Sequence, residues 1–371
     1  MTFLVLGLLF AIWHVGGTVA GHGSQAFISW NDLRVEEKQA NSNSMEGEGG
    51  RVILVGKEGG AGHSRTVQGA VDMVEAGNKE RVKIYISPGV YREKVFIPIT
   101  KPYISFIANG NGEIVITWDL QASDRDSNGQ IVGTSDSATV SIEADYFCAN
   151  GITFEAKLKG VDYTRRVFYD EIMLAEYSSG SRSRRIGMQA VALRLAGDKT
   201  LIYQSRILGS QDTLFDQIGK HYFYQCFIQG SIDFIFGNAR SLYQACTLHA
   251  IAASYGAVAA SQRNSPSEDS GFSFNACRLY GTGMVYLGRA WGKYARVVYS
   301  NSQLDGSVVP EGWNDWGDSS RQSTVWMGQY NCSGRGADLS KRVKWSRSLT
   351  YEEARPYLDR YYVDGDQWLR L

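Results

Sequence analysis

Two aspartates are the residues best placed to do chemistry in this 371-residue chain. Asp212 lies nine residues after Tyr203, and Asp233 lies nine residues after Tyr224. Tyr203 and Tyr224 each open a copy of one loose motif, so the two carboxyls take the same position in successive copies. If those copies stack as neighbouring strands, they lie about 4.8 Å apart. Two carboxylates that close do not both ionise freely, and the pKa of one rises. The pair then offers a proton-bearing acid beside an ionised nucleophile or base. Gln211 precedes Asp212, and Gln189 sits about one repeat earlier. Neutral amide donors at such a pair suit an oxyanion, although a ladder of amides that satisfies turns is an equally ordinary use of them. Arg289 and Trp291, in Leu287-Gly288-Arg289-Ala290-Trp291-Gly292, add a guanidinium able to grip a carboxylate in a bidentate pair and a ring able to stack on a sugar. A surface Arg and a core Trp are the commoner fates of those two types.

The elements that must position these groups are short strands. Arg51–Val55, Lys83–Ser87, Tyr103–Ala108, Ile114–Trp118 and Ala138–Ile142 read as strands. Thr66, Val67, Ala70, Val71 and Val74 form an apolar stripe at helical spacing, a short helix suited to capping a stack. The motif runs from an aromatic through two residues to a small or Cys residue, and then to a branched aliphatic. Its copies begin at Phe147, Tyr203, Tyr224, Tyr243, Phe274 and Tyr299, spaced 21, 19, 31 and 25 residues from Tyr203 onward. A period of twenty-odd residues built of strands and turns predicts a parallel β-helix. A sandwich would need hairpin turns throughout, and Asn-Gly or Asp-Gly pairs do not recur at hairpin spacing.

Lys+Arg and Asp+Glu both number 38. This balance supplies no global field for nucleic acid or an anionic membrane. The run Arg182, Arg184, Arg185 is the best local basic patch, and a solvated loop is its ordinary reading. Phe3–Trp13 is apolar but too short to span a bilayer, and small residues follow up to Ala20. Residues 1–20 therefore read as a secretory signal, residues 21–50 as a polar N-terminal arm, and residues 51–371 as one domain. Secretion permits disulfides among the five cysteines, at least one of which stays free. Asn331-Cys332-Ser333 is a glycosylation sequon. No pattern calls for a metal or cofactor.

Gly209–Leu214, Asp233–Ala239 and Leu287–Gly292 together resemble the three signature blocks of the plant pectin methylesterases (pectinesterases). Gly89-Val90-Tyr91-Arg92-Glu93, the Gly-rich turn at 59–66 and Gly312–Trp316 are similar to further blocks, so the likeness spans roughly 50–371. The resemblance implies a right-handed parallel β-helix with a carbohydrate cleft and no cofactor. It implies Asp233 as nucleophile, Asp212 as acid and then base, and Gln189 and Gln211 as oxyanion donors. It also implies Arg289 as the partner of the nucleophile, and Trp291 and Phe234 as substrate contacts. The implied activity is removal of methyl esters from pectin in the cell wall by a secreted monomer, in the form that lacks an inhibitor-like pro-region, with a proteinaceous inhibitor as a possible partner. Ala290 replaces the usual Pro. Ser205 replaces a Cys, which leaves Cys246–Cys277 or Cys226–Cys246 as candidate bridges. Residues 156–186 do not resemble the family and end beside Gln189, so an inactive pectin-binding β-helix is the alternative. A lyase or glycosidase would also use paired carboxylates, but the Gln211-Asp212 and Asp233 blocks disfavour both.

Overall fold

The computed structural model describes residues 27–35, 46–47, 50–56, 63–157 and 188–371. The proposed leader, most of the arm, the basic run at 182–185, the start of the Gly-rich turn and nearly all of the 156–186 segment lie outside the described residues. Within them the chain winds as a parallel β-helix with three faces. One coil runs through strands Thr200–Tyr203, Arg206–Leu208 and Leu214–Asp216. The next runs through Lys220–Tyr224, Phe227–Gly230 and Ile235–Gly237. Each strand pairs in parallel with its counterpart one coil on. The first face is a twelve-stranded sheet. The second and third merge, because Thr247–Ser261 and Arg278–Arg289 continue straight across the turn between them.

Turns set the coil length. At the corner between the first and second faces, Gln204, Gln225, Ala245, Ala276, Asn301 and Asn331 all take positive φ. Each is followed by Ser or Cys. The Cys226 thiol donates to the carbonyls of Ile202 (3.2 Å) and Tyr224 (3.6 Å), thus to the preceding coil and its own. Cys277 and Ser302 bond in the same way two and three coils later. All five cysteines are free, so neither candidate bridge forms. Those at this corner point the same way along the stack and satisfy turn carbonyls where Ser serves equally well. The sequon residue Asn331 is exposed at this corner, and its amide donates to Asn301 at 2.8 Å.

The aromatic motif needs a correction of one residue. Tyr203 pairs with Tyr224, but Tyr243 pairs with Phe223. Only one residue separates Tyr224 from its Cys, whereas two separate Tyr243 from Cys246. A one-residue slip reverses the face. Hence Tyr203 and Tyr224 look outward, while Phe223, Tyr243, Phe274 and Tyr299 stack inside at 4.5, 4.7 and 4.5 Å between rings.

One end of the stack is closed, and the outer side of the first face is covered. Helix Val67–Asp72 buries Val67, Ala70 and Val71 in the core. Thr66 caps it, and the Glu93 carboxylate accepts from the backbone of Val67 and Gln68, each at 2.9 Å. A carboxylate at a helix N-terminus meets unpaired amides, which gives the Gly-x-Tyr-x-Glu block a structural use. In the arm, Ile28–Ser29 pairs with Leu369–Arg370 near the C-terminus. Trp30–Leu33 continues as one 3-10 turn, and the Asn150 amide donates to the Leu33 carbonyl at 2.8 Å.

Gly237 (φ 135°) tests the closeness of the coils, because an added Cβ would lie 2.0 Å from the Asp216 carbonyl oxygen. Gly237→Ala is expected to lower unfolding free energy by about 3 kcal/mol, read by urea denaturation. Gly77→Ala, with positive φ but nothing within 4 Å of the added atom, should cost less, since only the backbone term remains.

Candidate active site

Asp212 and Asp233 both stand in turns that carry the chain from the second face to the third. Both adopt the left-handed conformation, with φ of 59° and 46°. This region is sparsely used by residues other than Gly, Asn and Asp, and it projects both carboxyls outward where the strand breaks. Leu214 pairs with Ile235, so the two aspartates share one register in adjacent coils, as the nine-residue spacing requires. Asp233 is only 6 % exposed.

Arg289 reaches Asp233 from two coils further on. Its Nε donates to Oδ1 at 2.8 Å and its Nη2 to Oδ2, a bidentate grip. One outward row explains the placement. Arg194, Phe215, Phe236, Ala260 and Arg289 are successive register partners. Phe215 and Phe236 stack at 4.5 Å. Trp291 packs 6.3 Å from Phe236 and 6.3 Å from Trp316, and the Arg289 guanidinium lies 4.0 Å from the Trp316 ring centre. Arg321 donates to the carbonyls of Ala290 and Trp291, each at 2.6 Å, and so anchors the loop that carries the Trp.

These groups surround a cavity of about 430 Å³ lined by Gln189, Gln211, Asp212, Asp233, Arg289 and Trp291, together with Phe215, Phe236, Ala260, Trp316, Thr134 and Ser135. Six of the seven residues singled out in the sequence therefore converge. Phe234 does not, being fully buried in the core. The turn at Asp233 breaks strand alternation, so Phe234 and Ile235 both point inward and Phe236 is the first side chain to face the cleft. Phe215 follows by register. Trp316 lay within a noted block without an assigned role. Thr134 and Ser135 come from the single helical turn Gly133–Asp136 in the connection after Ile114–Trp118, and no local pattern marks them.

The electrostatics separate the two carboxyls. Burial, and then the charge of Asp233, push the Asp212 carboxyl up to about 8, against the opposing pull of Arg289 and a hydrogen bond from Gln211. Asp212 thus holds a proton at neutral pH while Asp233 sits in the guanidinium grip. Behind the cleft floor, buried Asp216 accepts from the Tyr243 hydroxyl at 2.6 Å and meets His221 Nδ1 at 2.5 Å. His221 Nε2 donates to the Gly197 carbonyl at 2.8 Å. Burial opposes a charged His221, but Asp216 and that carbonyl together outweigh it, so its pKa lies above the ordinary value. Residues from three coils are tied together directly behind Phe215.

A raised folded-state pKa predicts a stability signature. Below the ordinary carboxyl range, Asp212 is protonated in both states. Between that range and about 8, the unfolded chain ionises Asp212 while the folded one retains the proton, so stability falls as pH rises. Asp212→Asn, shaped like the protonated acid, should be more stable than the parent at pH 7. That gap should shrink toward pH 4, as measured by thermal melting across pH.

The family model described as Pectinesterase matches residues 52–162 and 164–366. The two matched stretches meet inside the 156–186 segment that the sequence sets apart. The chain is 51 % identical to the Arabidopsis thaliana protein "Pectinesterase QRT1" over 365 residues, covering 93 % of this chain and 90 % of that one. It is 40 % identical to "Probable pectinesterase 8" of the same plant, covering 82 % and 73 %. Among solved structures, the pectin methylesterase from carrot superposes with a TM-score of 0.72 at 30 % identity, covering 85 % of this chain and 94 % of that one. Matched over most of its length by model, relatives and fold alike, the chain belongs to the pectinesterase family, enzymes that hydrolyse the methyl esters of pectin.

Proposed function

We propose that this pectinesterase works through an Asp233 acyl intermediate with Asp212 as the proton carrier. The single observation that carries this reading is the asymmetry of the pair: one carboxyl is gripped by Arg289 and its neighbour in register retains a proton. The Asp233 carboxylate attacks the C6 carbonyl carbon of a methyl-esterified galacturonate unit, and the carbonyl oxygen becomes an oxyanion. The amides of Gln211 and Gln189, on the cavity wall, stabilise that charge. As the C–O bond to the methoxy group breaks, Asp212 gives its proton to the departing oxygen, and methanol leaves. An Asp233–galacturonate anhydride remains. Water attacks it while Asp212, now ionised, takes the proton from that water. The anhydride opens to a free galacturonate carboxyl and Asp233, and Asp212 is again protonated. Arg289 keeps Asp233 oriented between turnovers through its bidentate grip. The apolar strip of Phe215, Phe236 and Ala260 suits the neutral ester, with Trp291 and Trp316 as platforms for sugar rings.

The same reading places the enzyme outside the cell, acting in the wall as a monomer. It rests on the apolar leader ending near Ala20 and on the polymeric nature of the substrate. A proteinaceous inhibitor that covers the cleft belongs to it as well.

Methanol release from highly methylated pectin tests the chemistry. Asp233→Ala is expected to lower kcat by at least about 10⁴-fold. Gln211→Ala should lower kcat by about 10²-fold with little change in KM, as for loss of one oxyanion donor. An Asp233→Ala enzyme that still turns over at parental rate would remove Asp233 from the nucleophile role. The acylation rate should fall as pH rises through about 8, where Asp212 loses its proton.

A further inference from the structure

Beyond the cleft, toward the C-terminal end of the stack, lies a second cavity of about 330 Å³. Its lining includes Met284, Val308, Arg335, Asp338, Lys341 and Arg342. Arg342 is fully engaged. It donates to Gln329 Oε1 at 2.7 Å and to the carbonyls of Val309 (3.0 Å), Pro310 (2.9 Å) and Gly336, and so builds the wall. Arg335 and Lys341 are exposed, and their side chains have no ion-pair or hydrogen-bond partner among the described residues. The Arg335 guanidinium lies over Gly306, where an added Cβ would come within 3.2 Å of Nη2. The acid of the cavity, Asp338, is occupied by the Ser340 backbone and hydroxyl, each at 2.9 Å. Three cations against one engaged carboxylate leave the cavity net positive, with two cations free to take a ligand.

Register relates this cavity to the cleft. Ile235 pairs with Ala259, Ala257 with Tyr286, and Val285 with Val308. The position of Asp233 is therefore continued by Ala257, Tyr286 and Val309 in the next three coils, and the cavity lies on the same corner of the β-helix. At one strand spacing per coil the separation is about 14 Å, a few sugar residues along a linear chain. A methyl-esterified unit is neutral, whereas each turnover creates a carboxylate.

We infer that the Arg335–Lys341 cavity is a distal subsite for free carboxylates of a polyuronate chain that spans it and the catalytic cleft. The inference rests on the reading of the cleft as the pectin-ester site and extends it. The subsite reads the de-esterified part of the chain, so the enzyme holds partly processed pectin more tightly than fully esterified pectin.

The test measures binding of de-esterified polygalacturonate to Asp233→Ala protein by calorimetry, with and without Arg335→Glu and Lys341→Glu together. Reversing both charges should raise Kd by about tenfold at low salt, and added salt should erase the difference. Lys344→Glu, an exposed charge outside the cavity, should leave Kd unchanged. The single changes Arg335→Ala and Lys341→Ala should each give a smaller loss in the same direction, which covers the case of a double variant that folds poorly. An unchanged Kd in the folded double variant overturns the inference, as does an equal loss from Lys344→Glu. Methanol assays on the parent separate this from the reading of the cleft. A parent that releases no methanol, yet whose polygalacturonate binding still falls on charge reversal, would overturn the esterase reading and leave a carboxylate site standing.

Discussion

Two carboxyls in one register of a parallel sheet are an electrostatic problem, and the rest of the active site is its solution. Strand spacing brings Asp212 and Asp233 so close that one must keep a proton unless a cation intervenes. Arg289 intervenes on one side only, gripping Asp233 through both oxygens. Asp212 lacks such a grip, and burial together with the charge of Asp233 leaves it protonated near neutrality. A symmetric repeat has thus been made asymmetric by one side chain from two coils away, and that asymmetry separates nucleophile from acid. Asp and Asn tolerate the left-handed backbone better than most residues, so the turn geometry suits the residue type that the chemistry requires.

Precision in such a site depends on coils that cannot slide. Inside, aromatic rings stack from Phe223 through Tyr299 at about 4.5 Å, close to the strand spacing itself, so packing and hydrogen bonding favour the same rise. At one corner, Ser and Cys side chains satisfy turn carbonyls in successive coils. Behind the cleft floor, Asp216, His221, Tyr243 and the Gly197 carbonyl form a fully buried network. Its members satisfy one another, which is the condition under which buried polar groups rigidify a core instead of weakening it. Glycines at the tightest crossings, such as Gly237 against Asp216, let the backbones approach that closely.

Much of this was legible in the linear order of residues. The nine-residue offset placed Asp212 and Asp233 in one register because both copies of the repeat between them have the same length. The strands near 84, 106 and 116 were visible as apolar runs, and the capping helix as a stripe of Val and Ala. The errors share one cause. Aligning Tyr243 with Tyr224 missed a single inserted residue, and assigning Phe234 to the cleft missed the kink at Asp233. Each misjudged which face a side chain takes, a property that alternates with every residue and is lost at every irregular turn. Treating cysteines in neighbouring coils as bridge partners overlooked that side chains repeated along a solenoid run parallel and need not face each other.

The sequence by itself determined the repeat, the parallel β-helix, the stacked carboxyl pair and the family resemblance, because these depend on residue type and spacing along one dimension. Only the tertiary structure decided that Phe215, Phe236 and Trp316 wall the cleft, and that Thr134 and Ser135 reach it. It also joined the first described segment of the chain to its last residues. Those outcomes depend on side-chain direction and on contacts between residues tens to hundreds of positions apart, and these are settled only when the coils close upon one another.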